Sequence, residues 1–124
     1  MFRHSIILFL TFFPIFLKSQ NIDFYLTLLE KGQINEVRNN LPELFERYPE
    51  NAGVYFLDAL TTDNGDTSVL KYETIIEKYP DTKFASLSLM RIGEYLFARG
   101  LYSQASSRFK NSLIKYPDGD HHQR

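Results

Sequence analysis

The 124-residue chain contains no cysteine. That one absence excludes disulfide staples, thiolate metal sites, a cysteine nucleophile and an acylated-cysteine lipoprotein anchor. Charge of either sign is scarcely in excess. Its 14 basic and 15 acidic residues give a net charge of −1, without the electrostatic footprint of a nucleic-acid binder. Histidine is scarce, and beyond residue 20 it occurs only as His121 and His122. The apolar/polar alternation that marks a half-buried strand appears nowhere over a useful length.

The one long apolar run lies at the start. Residues 1–20 read MFRHSIILFLTFFPIFLKSQ, with Arg3 and His4 ahead of an uncharged stretch from Ser5 to Leu17. The stretch falls short of the roughly 20 residues needed to span a bilayer as a helix, and Pro14 interrupts it. It reads as a cleaved secretory signal peptide in preference to an uncleaved anchor. The exit region Leu17-Lys18-Ser19-Gln20 lacks a small-x-small pattern, so cleavage near Gln20 is placed by the start of the helical pattern that follows. The leader takes with it five of the eleven Phe and two charges, Arg3 and Lys18. What remains is acidic and free of cysteine, with little attraction to anionic lipid or nucleic acid, and its stability has to come from packed helices or a partner.

That remainder is punctuated by three similar phrases: Glu46-Arg47-Tyr48-Pro49-Glu50, Glu77-Lys78-Tyr79-Pro80-Asp81 and Ile114-Lys115-Tyr116-Pro117-Asp118. Each proline lacks the amide a helix would need and pushes the preceding residue out of the helical region, so each phrase predicts a helix stop. The basic residue before each Tyr-Pro sits where the helix dipole favours a cation. Between the stops the apolar spacing is helical and comes in pairs. Phe24, Tyr25, Leu28 and Leu29 precede Gly32; Ile34, Val37, Leu41, Leu44 and Phe45 follow it, with Pro42 as an expected kink. Val54 to Leu60 precede Val69, Tyr72, Ile75, Ile76 and Tyr79. Leu89, Ile92, Leu96 and Phe97 precede Arg99-Gly100, then Tyr102, Ala105, Phe109 and Leu113. The expected fold class is all-α.

The last pair carries a family resemblance. Gly93, Gly100, Tyr102, Ala105, Phe109 and Pro117 stand as G-x6-G-x-Y-x2-A-x3-F-x7-P, which resembles a tetratricopeptide repeat. Small Gly93 and Ala105 suit close helix approach, Gly100 suits a turn, and Tyr102 and Phe109 are expected to fill the space between the pair and its neighbours. The resemblance implies a right-handed helix-turn-helix solenoid of about three repeats over residues 21–119, the middle one degenerate, followed by a tail at 120–124 that is disordered or begins a further, truncated repeat. With the leader, the Tyr-Pro-acidic ends and the Leu-x2-Ile-Gly-Glu-Tyr segment, the chain is similar to exported envelope repeat proteins of bacteria, of the Tol-Pal coordinator and outer-membrane assembly lipoprotein type. The lipoprotein's anchoring cysteine has no counterpart here, so that likeness is one of helical scaffold.

Residues for chemistry are few. His121 and His122 with Asp118 or Asp120 lack the spacing of a preformed metal site and read as a polar tail. Asp63-Asn64-Gly65-Asp66-Thr67 does not follow the order of an EF-hand and reads as a tight turn at Asn64-Gly65, with Asp66 or Thr67 capping the next helix. Glu73 and Glu77, four apart, read as a solvated helix face and not an acid/base pair. Ser103, Ser106, Ser107 and Ser112 have no partner base and read as helix cap and surface. No catalytic residue, metal or cofactor is expected.

Two surfaces remain. The family register implies that Leu87, Met90, Glu94 and Phe97, flanked by Arg91, line a concave face that binds a protein or peptide; equally, some of them pack against the middle repeat's first helix. Past Pro117, where the next helix should begin, few residues remain, so Phe109, Leu113 and Ile114 are expected to be partly uncovered. That edge points either to a longer array or to a second molecule bound there, a copy of the same chain included. The expectation is a non-catalytic, exported interaction scaffold without nucleic acid or a membrane span in its mature form. The alternative is a self-associating assembly module using the C-terminal edge.

Overall fold

A computed structural model describes residues 22–117. The leader at 1–20 and the tail at 120–124, with His121 and His122, lie outside the described residues. Within them the chain is all-helical: α1 over residues 22–30, α2 (Ile34–Arg47), α3 (Ala52–Leu60), α4 (Gly65–Lys78), α5 (Lys83–Ala98) and α6 (Tyr102–Lys115). Pro42 lies inside α2, which continues through it as one helix.

The even-numbered helices end alike. Each has 14 residues and closes on Arg47, Lys78 or Lys115 just before a Tyr-Pro. In each the tyrosine amide makes the last helical bond, Tyr48 to Leu44, Tyr79 to Ile75 and Tyr116 to Ser112, all at 2.8 Å. The proline then holds its predecessor away from helical backbone angles, as at Tyr79 and Tyr116, where φ is −128° and −131°.

The odd-numbered helices stop in two ways. α1 and α5 end on glycines in the left-handed region, Gly32 at φ +80° and Gly100 at +79°. Gly32 N bonds Leu29 O at 3.0 Å and Gln33 N bonds Leu28 O at 2.9 Å; Gly100 N and Leu101 N repeat this with Phe97 O and Leu96 O, both at 2.9 Å. This paired pattern satisfies carbonyls that a helix end leaves open. α3 has no glycine there. Thr61 Oγ1 donates to Leu57 O at 2.8 Å and Thr62 Oγ1 to Asp58 O at 2.7 Å. Lys71 Nζ, from α4, reaches Thr62 Oγ1 at 2.9 Å and Asp58 Oδ2 at 3.0 Å.

The chain forms two compact units, Met1–Asn40 and Leu41–Arg124. In the described part of the first, α1 turns at Gly32 into α2, and Ile22, Leu28 and Val37 are buried. In the second, α3 packs on α4, α4 on α5 and α5 on α6, and α3 also touches α5. Its core holds Val54, Phe56, Leu57, Ile75, Leu89 and Ile92. The Tyr-Pro corners are tied together: Tyr79 Oη donates to Glu50 Oε2 at 3.0 Å, and Tyr116 Oη to the Pro80 carbonyl at 2.7 Å.

Candidate functional site on helix α5

α5 begins where the Thr82 hydroxyl accepts the Ala85 amide and continues to the Gly100 turn. Ala85, Ser88, Leu89 and Ile92 form its buried side. Leu87, Met90, Glu94 and Phe97 recur at helical spacing on another side, since residues three and four apart stand one above the other. Leu87 and Met90 are half-buried, while Arg91, Glu94 and Phe97 are exposed. Of these five, the structure joins Arg91 and Glu94, whose Nη1 and Oε2 lie 3.4 Å apart. An exposed pair of this kind adds little stability and leaves both groups available. Phe97 stands at the turn end of α5, 59 % exposed, with its ring edge-on to Tyr102 at 5.0 Å.

A neighbouring group was not foreseen in the sequence. Tyr72 of α4 is buried against Phe56, with ring centres 5.9 Å apart, and Phe56 in turn lies 5.5 Å from Phe84 of α5. Burial pushes the Tyr72 phenol up to about 12; the positive charge of Arg91 works against that rise and the negative charge of Glu94 adds to it. The neutral phenol thus lies in the electrostatic reach of both charged residues of α5. The available signal was register: counted from the Tyr-Pro stops, Tyr72 occupies in α4 the place that Phe109 occupies in α6.

The residues expected to shape the α5–α6 pair have distinct fates. A Cβ at Gly93 would stand 2.5 Å from the Phe109 ring, so this glycine admits the ring against the α5 backbone. Ala105 is buried, Gly100 makes the turn, and Pro117 follows the last Tyr stop. Tyr102 does not fill the interior as expected: it is 62 % exposed, because as the first residue of α6 it points past the turn towards Phe97. Ser112, read as surface, is fully buried.

The loop at 63–67 also differs. Asn64, not Asp66 or Thr67, caps α4, its side chain accepting the Thr67 amide at 2.9 Å. Gly65 is the first residue of α4 and carries no positive φ; the Tyr95 ring lies so close that a side chain there would collide. Tyr95 Oη donates to Asp66 Oδ1 at 2.6 Å and accepts from Arg99 Nη1 at 2.7 Å. Glu73 is engaged with Arg108 at 2.7 Å, whereas Glu77 is exposed. Among the described residues no group of three or more His, Asp or Glu is placed to hold a metal ion.

No protein-family model, curated protein or solved structure matches the chain. Among the described residues no helix is long and apolar enough to cross a membrane.

Proposed function

We propose that the chain is a non-catalytic scaffold, built as a right-handed tetratricopeptide-like solenoid of about three repeats and exported to a bacterial cell envelope, where α5 binds a protein or peptide partner. The observation that carries this reading is the solvent-facing strip of α5. Leu87, Met90 and Phe97 offer apolar anchors around the Arg91–Glu94 pair, and Phe97 keeps more than half its surface in water. Apolar anchors set affinity in such a contact, while flanking charges set register. The three 14-residue helices with identical Tyr-Pro ends, and the two glycine turns, support the repeat reading. The leader supports export, and the scarcity of histidine and absence of cysteine support a role without catalysis.

The test is capture of partners from an envelope extract of the source bacterium, identified by mass spectrometry. Replacing Leu87, Met90 and Phe97 with serine is expected to abolish capture and leave the helical circular dichroism unchanged. A partner retained by the triple variant would show that α5 is not the binding face.

A further inference from the structure

α4 and α6 are the same length and end on the same Tyr-Pro phrase, so their residues correspond one to one: Gly65 with Tyr102, Val69 with Ser106, Tyr72 with Phe109 and Ile76 with Leu113. In α4 this stripe is covered. The Tyr95 ring of α5 lies on Gly65, Tyr72 is buried, and Val69 and Ile76 are half-buried. In α6 the same stripe is open: Tyr102 is 62 % and Leu113 55 % exposed, Ser106 is exposed and Phe109 only half-buried.

α4 packs on α3 and also on α5, which lays Tyr95 over Gly65, and α5 has its own counterpart in α1. Both end in the same glycine turn, at Gly100 and Gly32. Counted from those glycines, Arg91, Ile92 and Tyr95 correspond to Asp23, Phe24 and Thr27. Asp23, Phe24, Thr27 and Glu30 are all exposed, and Phe24, opposite number of the fully buried Ile92, is 55 % exposed. Charge distinguishes the two helices. α6 has no acidic residue, and of its basic residues Arg108 is turned to Glu73 of α4 while Lys110 flanks the open stripe, one turn from Ser106 and Leu113. α1 carries Asp23 and Glu30 and no basic residue.

We propose that the open face of α6 is covered by α1 of a second copy of this chain, in the register that α5 adopts on α4. The inference rests on the repeat reading above and adds the identity of the two surfaces. Because they differ, the contact is heterologous: it propagates head to tail, and pairs α6 with α1 and never α6 with α6. The contact of Tyr95 with Gly65 inside the chain translates into Thr27 of one copy beside Tyr102 of the next. Lys110 then stands beside an acidic helix, so the association weakens as salt screens it.

A chain without cysteine makes the test direct. Thr27→Cys and Tyr102→Cys are made separately in the full-length protein, each checked by circular dichroism, and oxidised alone and mixed. The expected result is a disulfide-linked heterodimer in the mixture, several-fold above either variant alone. Sedimentation of the unmodified chain is expected to show species that grow with concentration and shrink several-fold at 0.5 M salt, roughly the ionic strength at which charges across an interface are screened. Tyr102→Cys linking chiefly to itself would overturn the head-to-tail pairing. A chain that stays monomeric and forms no mixed crosslink would overturn association through this face altogether, leaving it to another molecule or a further repeat. The serine variant of Leu87, Met90 and Phe97 is run in parallel. Crosslinking that survives it while partner capture fails in every form condemns the α5 binding face alone, and capture without crosslinking condemns only the self-association.

Discussion

The two helical hairpins α3–α4 and α5–α6 do the same job with opposite means. Counted from their caps Asn51 and Thr82, Val54, Phe56 and Leu57 in α3 stand where α5 has Ala85, Leu87 and Ser88. α3 is short and fills its surroundings with bulk, Phe56 packing on both Tyr72 and Phe84. α5 is nearly twice as long, 16 residues against 9, and buries Ala85, Ser86, Ser88 and Gly93 beside Leu89 and Ile92, so that at Gly93 a neighbour comes close to its backbone. Its Gly93 receives Phe109 as a flat ring. The turns divide in the same way. α5 leaves through a positive-φ glycine, whereas α3 is closed by the hydroxyls of Thr61 and Thr62 and the ammonium of Lys71. A missing glycine is thus compensated by side-chain hydrogen bonds, and a missing large side chain by shorter approach.

Three substitutions sharpen this contrast. The largest effect is expected at Gly93, where Gly93→Ala forces a methyl into the Phe109 ring. Overpacking of this kind costs about 1–3 kcal/mol, read as a fall in the urea midpoint. Combining it with Phe109→Leu should recover part of the loss; full additivity of the two changes would mean that the ring contact is not the cause. Next comes Gly100→Ala, where the added Cβ meets nothing and only the left-handed backbone is penalised, by about 1–2 kcal/mol. No loss of thermal stability there would show that the turn can adopt another conformation. The smallest effect, and of opposite sign, is expected at Ser88. Its hydroxyl is fully buried and has no hydrogen-bond partner among the described residues, so Ser88→Ala should raise stability by about 1 kcal/mol. A lower melting temperature would mean that the hydroxyl is satisfied in solution.

Much of the architecture was readable residue by residue. The Tyr-Pro stops and the Gly32 and Gly100 turns are written in backbone chemistry that acts within a few residues, and all of them are realised as helix ends. Asn64-Gly65 shows the limit of such local signals. The dipeptide suggests a turn, but Asn64 is a helix cap and Gly65 is small because Tyr95, thirty positions on, lies against it. The α5 strip was legible as a register of residues. Its polar surroundings were not, because Tyr72 reaches the field of Arg91 and Glu94 only when α4 and α5 pack. Tyr102 fails as an interior residue for a related reason: periodicity placed it on an apolar stripe, and what covers a stripe is decided by other helices.

Sequence alone therefore determined that this chain is helical, where its helices stop and which apolar stripes they carry, since these depend on proline, glycine and spacing within a turn or two. The tertiary structure decided which stripes are covered. Tyr72 and Phe109 hold equivalent places on equivalent helices, yet one is buried, between Phe56 of α3 and the charges of α5, and the other is half-open, because burial belongs to the neighbours that arrive and not to the residue that waits for them.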